Sequence, residues 1–172
     1  LIRLAVLSEG ARTGVGTEKR LALAATYPAP PPEVATALRA CPDRAAPHVK
    51  ALRHLILDTA RTTPQVGHVR ETLKWGEPAY LTQAPKTGTT LRLGWDESGA
   101  HARLFVPCQT TLIESWRSHY HKTLHFVGNR EVSMPTDQPL PRAELQHCIA
   151  MALTYHLRKR SEERRVGKEC RS

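Results

Sequence analysis

Residues 89–106 read TTLRLGWDESGAHARLFV, and this stretch decides the fold. Two short runs in it alternate apolar and polar side chains, and the DESG between them has the composition of a tight turn. In the first run Leu91, Leu93 and Trp95 point to one side of an extended chain, whereas Arg92 points to the other. The stretch therefore predicts two antiparallel strands, with one packed face and one face turned to solvent or to a ligand.

Further strands are predicted on either side of this pair. AYLT at residues 79–82 is rich in strand-forming side chains and is followed by QAPKTG, another turn composition. Farther along the chain, LHFVG and REVSM flank the turn pair Gly128-Asn129, which favours a second hairpin. Together these segments predict an antiparallel sheet of about five strands.

Apolar side chains recur at helical spacing in five other segments. The second segment follows Asp43, a residue type suited to the N-cap of a helix. The third is expected to end near Trp75, because Gly76 and Pro78 discourage a helix. The predicted helices cover residues 31–41, 44–60, 65–74, 109–120 and 142–159. Because helices and strands form separate blocks, the predicted class is α+β, a two-layer sandwich of helices on an antiparallel sheet.

At 172 residues the chain has the length of one domain. Residues 1–30 show no sustained strand or helix periodicity and are interpreted as a disordered or upstream-translated extension. From Arg160 the chain reads RSEERRVGKECRS, which is highly charged and resembles a translated adapter or vector read-through. Residues 160–172 are therefore interpreted as a tail, and the α+β domain is placed at residues 31–159.

The chain is basic, with a formal net charge of +9, and such a charge raises nucleic acid as a partner. Its lysines and arginines are spread along the chain, however, and aromatic residues make up only 5%. A groove for single strands needs basic and aromatic side chains that are interleaved. The distribution of charge therefore weighs against nucleic acid.

The apolar runs near the start of the chain, LIRLAVL and LALAA, are each too short to cross a bilayer. Four cysteines, at positions 41, 108, 148 and 170, form no C-x-x-C pair, so neither a zinc site nor a disulfide framework is indicated. Free thiols fit a reducing compartment. The sequence thus predicts a soluble cytoplasmic protein with no membrane partner.

Two candidate chemistries depend on few residues. His119, His121 and His125 stand close together in SHYHKTLHF, but no carboxylate accompanies them, so a basic helix-to-strand junction is a simpler interpretation than a metal site. Cys108 follows a predicted strand and precedes a predicted helix, where the helix dipole stabilises a thiolate. The simpler alternative is that VPCQTT only ends the strand and caps the helix. Phosphate-loop and nucleophile-elbow motifs are absent from the sequence.

A ligand pocket is predicted where the segment ETLKWGEPAYLT, residues 71–82, meets the sheet. Trp75 and Tyr80 form its walls and anchor the chain as it enters the first strand, Glu77 supplies a polar contact and Arg92 a charged partner. The alternative for Glu77 and Arg92 is an ordinary surface ion pair. No catalytic or metal-ligating residue is predicted there.

Five motifs in order, LKWGEPAYLT, KTGTTLRLGW, LFVPCQTTLIESWRSHY, LHFVGNREV and CIAMALTYHLRK, resemble the YdhG-like bacterial family of domains of unknown function. The resemblance covers residues 31–159. It implies a small cytoplasmic α+β domain and brings no established catalytic residues. One branch of the family is described as a frataxin-like intracellular iron chaperone, so the resemblance makes iron the cofactor to test.

The predicted function is a non-enzymatic cytoplasmic binding domain of this family, with a small molecule or a metal ion as its ligand. Two alternatives stay open. The first is an iron-binding, frataxin-like chaperone, and the second is an enzyme that uses the Cys108 thiol. Apart from the iron of the first alternative, no cofactor is predicted.

Overall fold

The structure, a computed structural model, describes residues 27–169. This part of the chain contains five helices and six strands, and its class is mixed α+β, as predicted. The helices are α1 (Pro32–Arg39), α2 (Ala46–Thr62), α3 (Leu112–Tyr120), α4 (Arg142–Leu153) and α5 (Tyr155–Glu169). The strands are β1 (Val69–Lys74), β2 (Glu77–Thr82), β3 (Leu91–Trp95), β4 (His101–Phe105), β5 (His125–Val127) and β6 (Glu131–Pro135).

All six strands belong to one sheet of order β1-β2-β3-β4-β6-β5, and every neighbouring pair is antiparallel. The two predicted hairpins, β3–β4 and β5–β6, are both present. The sheet has one strand more than the number predicted. The additional strand is β1.

The helix predicted over residues 65–74 is wrong. Residues 69–74 form β1, which pairs with β2 at six positions. Gln65 and Gly67 both adopt left-handed conformations, with φ of +71° and +68°, and a right-handed helix cannot continue through such residues. Glu71 of β1 faces the helices, where Arg53 of α2 donates to both its carboxylate oxygens at 2.8 and 2.7 Å. This pair fixes β1 against α2.

The starts of the helices differ in detail from the prediction. Asp43 does not cap α2, which begins at Ala46 with Ala45 in the N-cap position and no side-chain hydrogen bond there. Of the two threonines in VPCQTT that could cap α3, Thr110 and Thr111, the second stands at the N-cap position, but its side chain makes no capping hydrogen bond either. Packing of the apolar stripes, rather than capping, therefore stabilises these two helices.

The last predicted helix is interrupted at Thr154, which separates α4 from α5. The loop between β2 and β3 docks at this point. Thr89 N–H donates to a carbonyl of the last turn of α4 at 2.9 Å, and Thr87 Oγ1 donates to Leu153 O at 2.9 Å. A Cβ on Gly88 would lie 2.4 Å from the Leu153 carbonyl, so the close approach of the two backbones requires glycine.

The core lies between the helices and one face of the sheet. Tyr80, Leu91, Leu93 and Leu104 of the strands are wholly buried in one cluster with Trp116 of α3. Burial of each such side chain contributes about 1.5–3 kcal/mol. The cluster therefore fixes which face of β2, β3 and β4 is turned away from the helices.

At both ends, the described structure extends beyond the predicted domain of residues 31–159. Tyr27 stacks on His54 of α2 with ring centroids 3.7 Å apart, so residues 27–30 pack on the domain, whereas the rest of the predicted extension, residues 1–26, lies outside the described residues. At the other end, α5 continues into the predicted tail. Among the helices between residues 27 and 169, none combines the length and apolar character that a membrane span requires.

Candidate functional site

The sheet has a second face, which we call the open face, formed by the side chains that alternate with those of the core. The strand register places Arg92 opposite both Ala79 and Phe105, and Phe105 opposite Glu131. Directly opposed residues point to the same face of a sheet, so these four form a row across β2, β3, β4 and β6. Arg92 thus points away from the buried Leu91, as the alternation predicted.

A cleft of about 620 Å³ opens along this row. Small-molecule sites have volumes of roughly 300–1,000 Å³, so the cleft has the size of such a site. Three of the four predicted pocket residues, Trp75, Glu77 and Arg92, line it. Cys108, which the sequence suggested for a separate role, lines it as well. The structure therefore brings two independent predictions to one place.

Trp75 stands at the rim of the cleft in an uncommon backbone conformation. It forms the two-residue turn between β1 and β2 together with Gly76, and the φ angles of the two residues are +52° and +79°. Positive φ at both central positions gives a type I′ turn, where Asn-Gly is favoured and a bulky residue is strained. The Trp75 side chain is also 84% exposed. Trp75 is therefore not a buried anchor of the chain.

The guanidinium of Arg92 lies between two aromatic rings. Its Cζ is 4.6 Å from the centroid of Trp75 and 5.2 Å from that of Phe105. Arg92 Nη1 also donates to the carboxylate of Glu77. The Glu77–Arg92 ion pair, which the sequence offered as the alternative to a pocket, is thus present, and both residues also form part of the cleft wall. Arg92 covers one face of the Trp75 indole. Because Trp75 is otherwise largely exposed, the other face of its indole is accessible to a ligand.

Gly94 makes room for the floor of the cleft. A Cβ at this position of β3 would lie 2.7 Å from Phe105 Cε2. The ring of Phe105 therefore lies across β3, where it covers the glycine as aromatic side chains do in other sheets. This orientation brings the ring under Arg92 and gives the cleft an apolar surface.

The cleft is more positive than negative, since four basic and two acidic side chains line it. One carboxylate belongs to Glu77, the partner of Arg92. The other belongs to Glu131, whose Oε1 lies 3.4 Å from Arg103 Nε. Within residues 27–169, neither Lys74 nor Arg130 takes part in an ion pair. The excess positive charge of the cleft therefore lies on these two side chains.

Cys108 is exposed in the turn that follows β4. Thr110 closes this turn, because its N–H and its Oγ1 both donate to Pro107 O, at 3.1 and 2.8 Å. Burial raises the pKa of the Cys41 thiol to about 11 and that of the Cys148 thiol to about 12. Cys108 is consequently the accessible thiol of the three. Among the described residues that line the cleft, no histidine stands beside it as a base.

Tyr80 is not part of the cleft, although it was predicted as one of its walls. It is wholly buried on the face that the helices cover, opposite Leu91. Burial, and to a smaller extent the charge of Glu71, raises the pKa of the Tyr80 phenol. Glu77 and Tyr80 are three positions apart in one strand, and the period of two places such residues on opposite faces. Tyr80 therefore anchors β2 in the core, whereas Glu77 faces the ligand side.

Five side chains that give the cleft its charge and its floor were missed from the sequence, namely Lys74, Arg103, Phe105, Arg130 and Glu131. Arg103 and Phe105 alternate with buried residues of β4, so the periodicity that placed Arg92 contains the signal for them. Arg130 has no comparable signal. It reaches the rim because Val106 N–H donates to Arg130 O at 2.9 Å, a contact that lies just beyond the paired ends of β4 and β6, which are not consecutive strands.

The three clustered histidines do not converge. His119 Nδ1 lies 2.7 Å from Ser115 O, and its ring is 6.3 Å from that of His147. His121 and His125 instead line a separate cavity of about 330 Å³. Across the described residues, no three or more His, Cys, Asp or Glu side chains are grouped so as to hold a metal ion.

Neither a protein-family model, a curated protein nor a solved structure matches the chain. What the cleft binds is therefore inferred from its own geometry and charge.

Proposed function

We propose that the protein is a non-enzymatic cytoplasmic binding domain of the YdhG-like family, and that its ligand is a small molecule held in the cleft of the open face. The observation that carries the proposal is Trp75, which is 84% exposed and held in a left-handed backbone conformation. The α+β class and the free thiols of Cys41, Cys108 and Cys148 agree with what the family resemblance implies about fold and compartment.

The left-handed backbone conformation of Trp75 costs free energy, which the stack on Arg92 at most offsets. A left-handed conformation costs a residue other than glycine about 1–2 kcal/mol, and asparagine adopts it more readily than tryptophan. A side chain that is 84% exposed also removes little apolar surface from water. Residues in such conformations cluster at ligand sites, where the strain presents a side chain in a fixed position. Contact with a ligand accounts for both the exposure and the strain.

The rest of the cleft is already held in place for binding. The Arg92 side chain is only 14% exposed and is fixed by two rings and by Glu77. The ring of Phe105 is fixed across Gly94. A ligand that enters a prearranged site does not have to order these side chains, so less of its binding free energy is lost.

The two alternatives require groups that the cleft does not assemble. A thiol enzyme needs a base beside its nucleophile, and among the described cleft residues no histidine stands next to Cys108. Iron carriage needs free oxygen ligands, and the carboxylates of Glu77 and Glu131 both face arginines. A binding role requires neither group.

The thiol of Cys108 can report on occupancy of the cleft. In a Cys170→Ser variant, iodoacetamide should modify Cys108 before Cys41 and Cys148, which are buried and have raised pKa values. A metabolite library is then screened by mass spectrometry for compounds that slow this modification and also raise the melting temperature. We expect protecting compounds whose effect is lost in Trp75→Asn. The proposal fails if no compound protects Cys108, or if protection is the same in that variant.

A further inference from the structure

We infer that the cleft selects planar anions, that is, flat conjugated rings that carry a carboxylate or a phosphate group. The ring lies on the free face of Trp75, and the anionic group meets Lys74 or Arg130. This inference rests on the proposed function and adds to it the chemical class of the ligand.

The requirement for a ring follows from the way in which Trp75 is held. Arg92 lies 4.6 Å behind the indole and is itself backed by Phe105. The β1–β2 turn and this stack fix the indole plane, while its outer face stays accessible. A flat ring that stacks on a fixed indole gains contact area, and little conformational freedom is lost on either side. A branched aliphatic ligand cannot use this surface as fully.

The requirement for an anion follows from the ion pairs. Both cleft carboxylates already face arginines, whereas no described residue forms an ion pair with Lys74 or Arg130. An anionic ligand supplies the acceptor that these two side chains lack, and charge-assisted hydrogen bonds of this kind are strong. A cationic ligand would find no free carboxylate.

One ligand can use the ring surface and the charges together. Trp75 precedes β2 and Arg130 precedes β6, and β3 and β4 lie between these two strands. With about 4.8 Å between neighbouring strands, β2 and β6 are roughly 14 Å apart. Along the strands, Arg130 lies level with Tyr80, five positions from Trp75, which is a further offset of about 16 Å. The long side chains of Trp75 and Arg130 narrow this separation across the cleft that both line. A two-ring aromatic carboxylate stacked on Trp75 therefore meets Lys74, the preceding residue, whereas an extended nucleoside monophosphate reaches towards Arg130.

Isothermal titration with matched probes separates the ring from the charge. Adenosine 5′-monophosphate and 2-naphthoate carry both features, adenosine and 2-naphthamide carry the ring alone, and ribose 5-phosphate carries the charge alone. We expect each planar anion to bind at least about tenfold more tightly than its partial analogues. Its affinity should fall when sodium chloride is raised from about 0.05 M to about 0.3 M, because salt screens exposed charges. Comparison of adenosine 5′-monophosphate with 2-naphthoate shows whether the cleft prefers a phosphate or a carboxylate as the anionic group.

A pair of matched variants tests the position of the anionic group. Arg130→Gln removes an exposed charge at the cleft, and Arg44→Gln removes an exposed charge between α1 and α2. Arg130→Gln should weaken binding of adenosine 5′-monophosphate by about fivefold, the effect of one solvent-exposed charge contact, and leave adenosine binding unchanged. Arg44→Gln should change neither affinity.

The inference is overturned if adenosine 5′-monophosphate and 2-naphthoate bind no more tightly than adenosine and 2-naphthamide, or if Arg130→Gln behaves like Arg44→Gln. If only the neutral ring compounds bind and protect Cys108, the inference fails while the proposed function stands. If none of the five probes binds and no library compound protects Cys108, both fail. A single-stranded oligonucleotide that binds more than about a hundredfold more tightly than the mononucleotide would make nucleic acid the occupant instead.

Discussion

The Trp75→Asn variant keeps the β1–β2 turn and removes the indole. Asparagine is favoured at the first central position of a type I′ turn, so the change relieves about 1 kcal/mol of backbone strain at φ +52°. It also removes the stack on Arg92, which contributes about 0.5–1 kcal/mol at an exposed site. The two effects nearly cancel. We therefore expect the free energy of unfolding to change by less than about 1 kcal/mol, and the melting temperature by less than about 4 °C.

Urea unfolding followed by far-UV circular dichroism measures this change, because that signal depends little on one indole. Trp116, which is wholly buried, supplies the matched control, and Trp116→Ala should cost about 3–5 kcal/mol. In the same preparation, Trp75→Asn should weaken binding of adenosine 5′-monophosphate by at least about tenfold, since loss of a stacked ring costs about 1–3 kcal/mol. A loss of more than about 2 kcal/mol of stability in Trp75→Asn would make Trp75 a structural anchor after all. Unchanged affinity would remove Trp75 from the site.

Three further changes test the fold around the site. Glu71→Ala leaves the buried Arg53 without its carboxylate and should cost about 3–5 kcal/mol in urea unfolding. Replacing both residues with apolar ones of similar volume should recover most of that loss, and no recovery would contradict the buried pair. Gly88→Ala places a Cβ 2.4 Å from the Leu153 carbonyl, so the melting temperature should fall by at least about 5 °C; an unchanged value would refute the docked loop. Burial raises the Cys148 pKa from 9.0 to about 12, so its stabilising effect is complete below pH 9 and is lost as the pH rises towards 12. Urea unfolding at several pH values in this range should show that the free energy of unfolding falls less steeply with pH in Cys148→Ala than in the wild type. Equal slopes of the free energy against pH would count against the burial of this thiol.

The sequence predicted those parts of the sheet in which periodicity and burial agree. In residues 91–95 the alternation of Leu91, Arg92 and Leu93 matches a strand with one buried face, so both the strand and the direction of Arg92 follow from local pattern. The same holds for the hairpin around Gly128-Asn129, where turn chemistry marks the reversal. In these segments no distant contact is needed to decide the structure.

Strand β1 shows why other parts could not be predicted. Val66, Val69 and Leu73 have helical spacing, and the charged Glu71 hides the strand alternation because it occupies a position that faces the core. Only Arg53, eighteen residues earlier in the chain, makes that position acceptable for a carboxylate. Tertiary pairing thus overrides the local pattern.

The candidate site was predicted in part for a similar reason. The charges of Glu77 and Arg92 are local features, and both residues line the cleft. The reversal at Trp75 was predicted as the end of a helix, whereas it is a hairpin turn between β1 and β2. Exposure of Trp75 is not a local feature, since most tryptophans are largely buried and the sequence therefore indicated an anchor. Arg130 comes to the rim through pairing of β4 with β6, which the chain order does not reveal.

The indole N–H signals of Trp75, Trp95 and Trp116 in a proton–nitrogen correlation spectrum test the central claim most directly, because one tryptophan lies at the cleft and the other two lie on the core side of the structure. Adenosine 5′-monophosphate and 2-naphthoate are titrated in turn. We predict that each shifts the Trp75 signal in a saturable manner and leaves the signal of the buried Trp116 in place. A Trp75 signal that stays unchanged with both probes, or shifts of Trp116 alone, would contradict a cleft that binds planar anions.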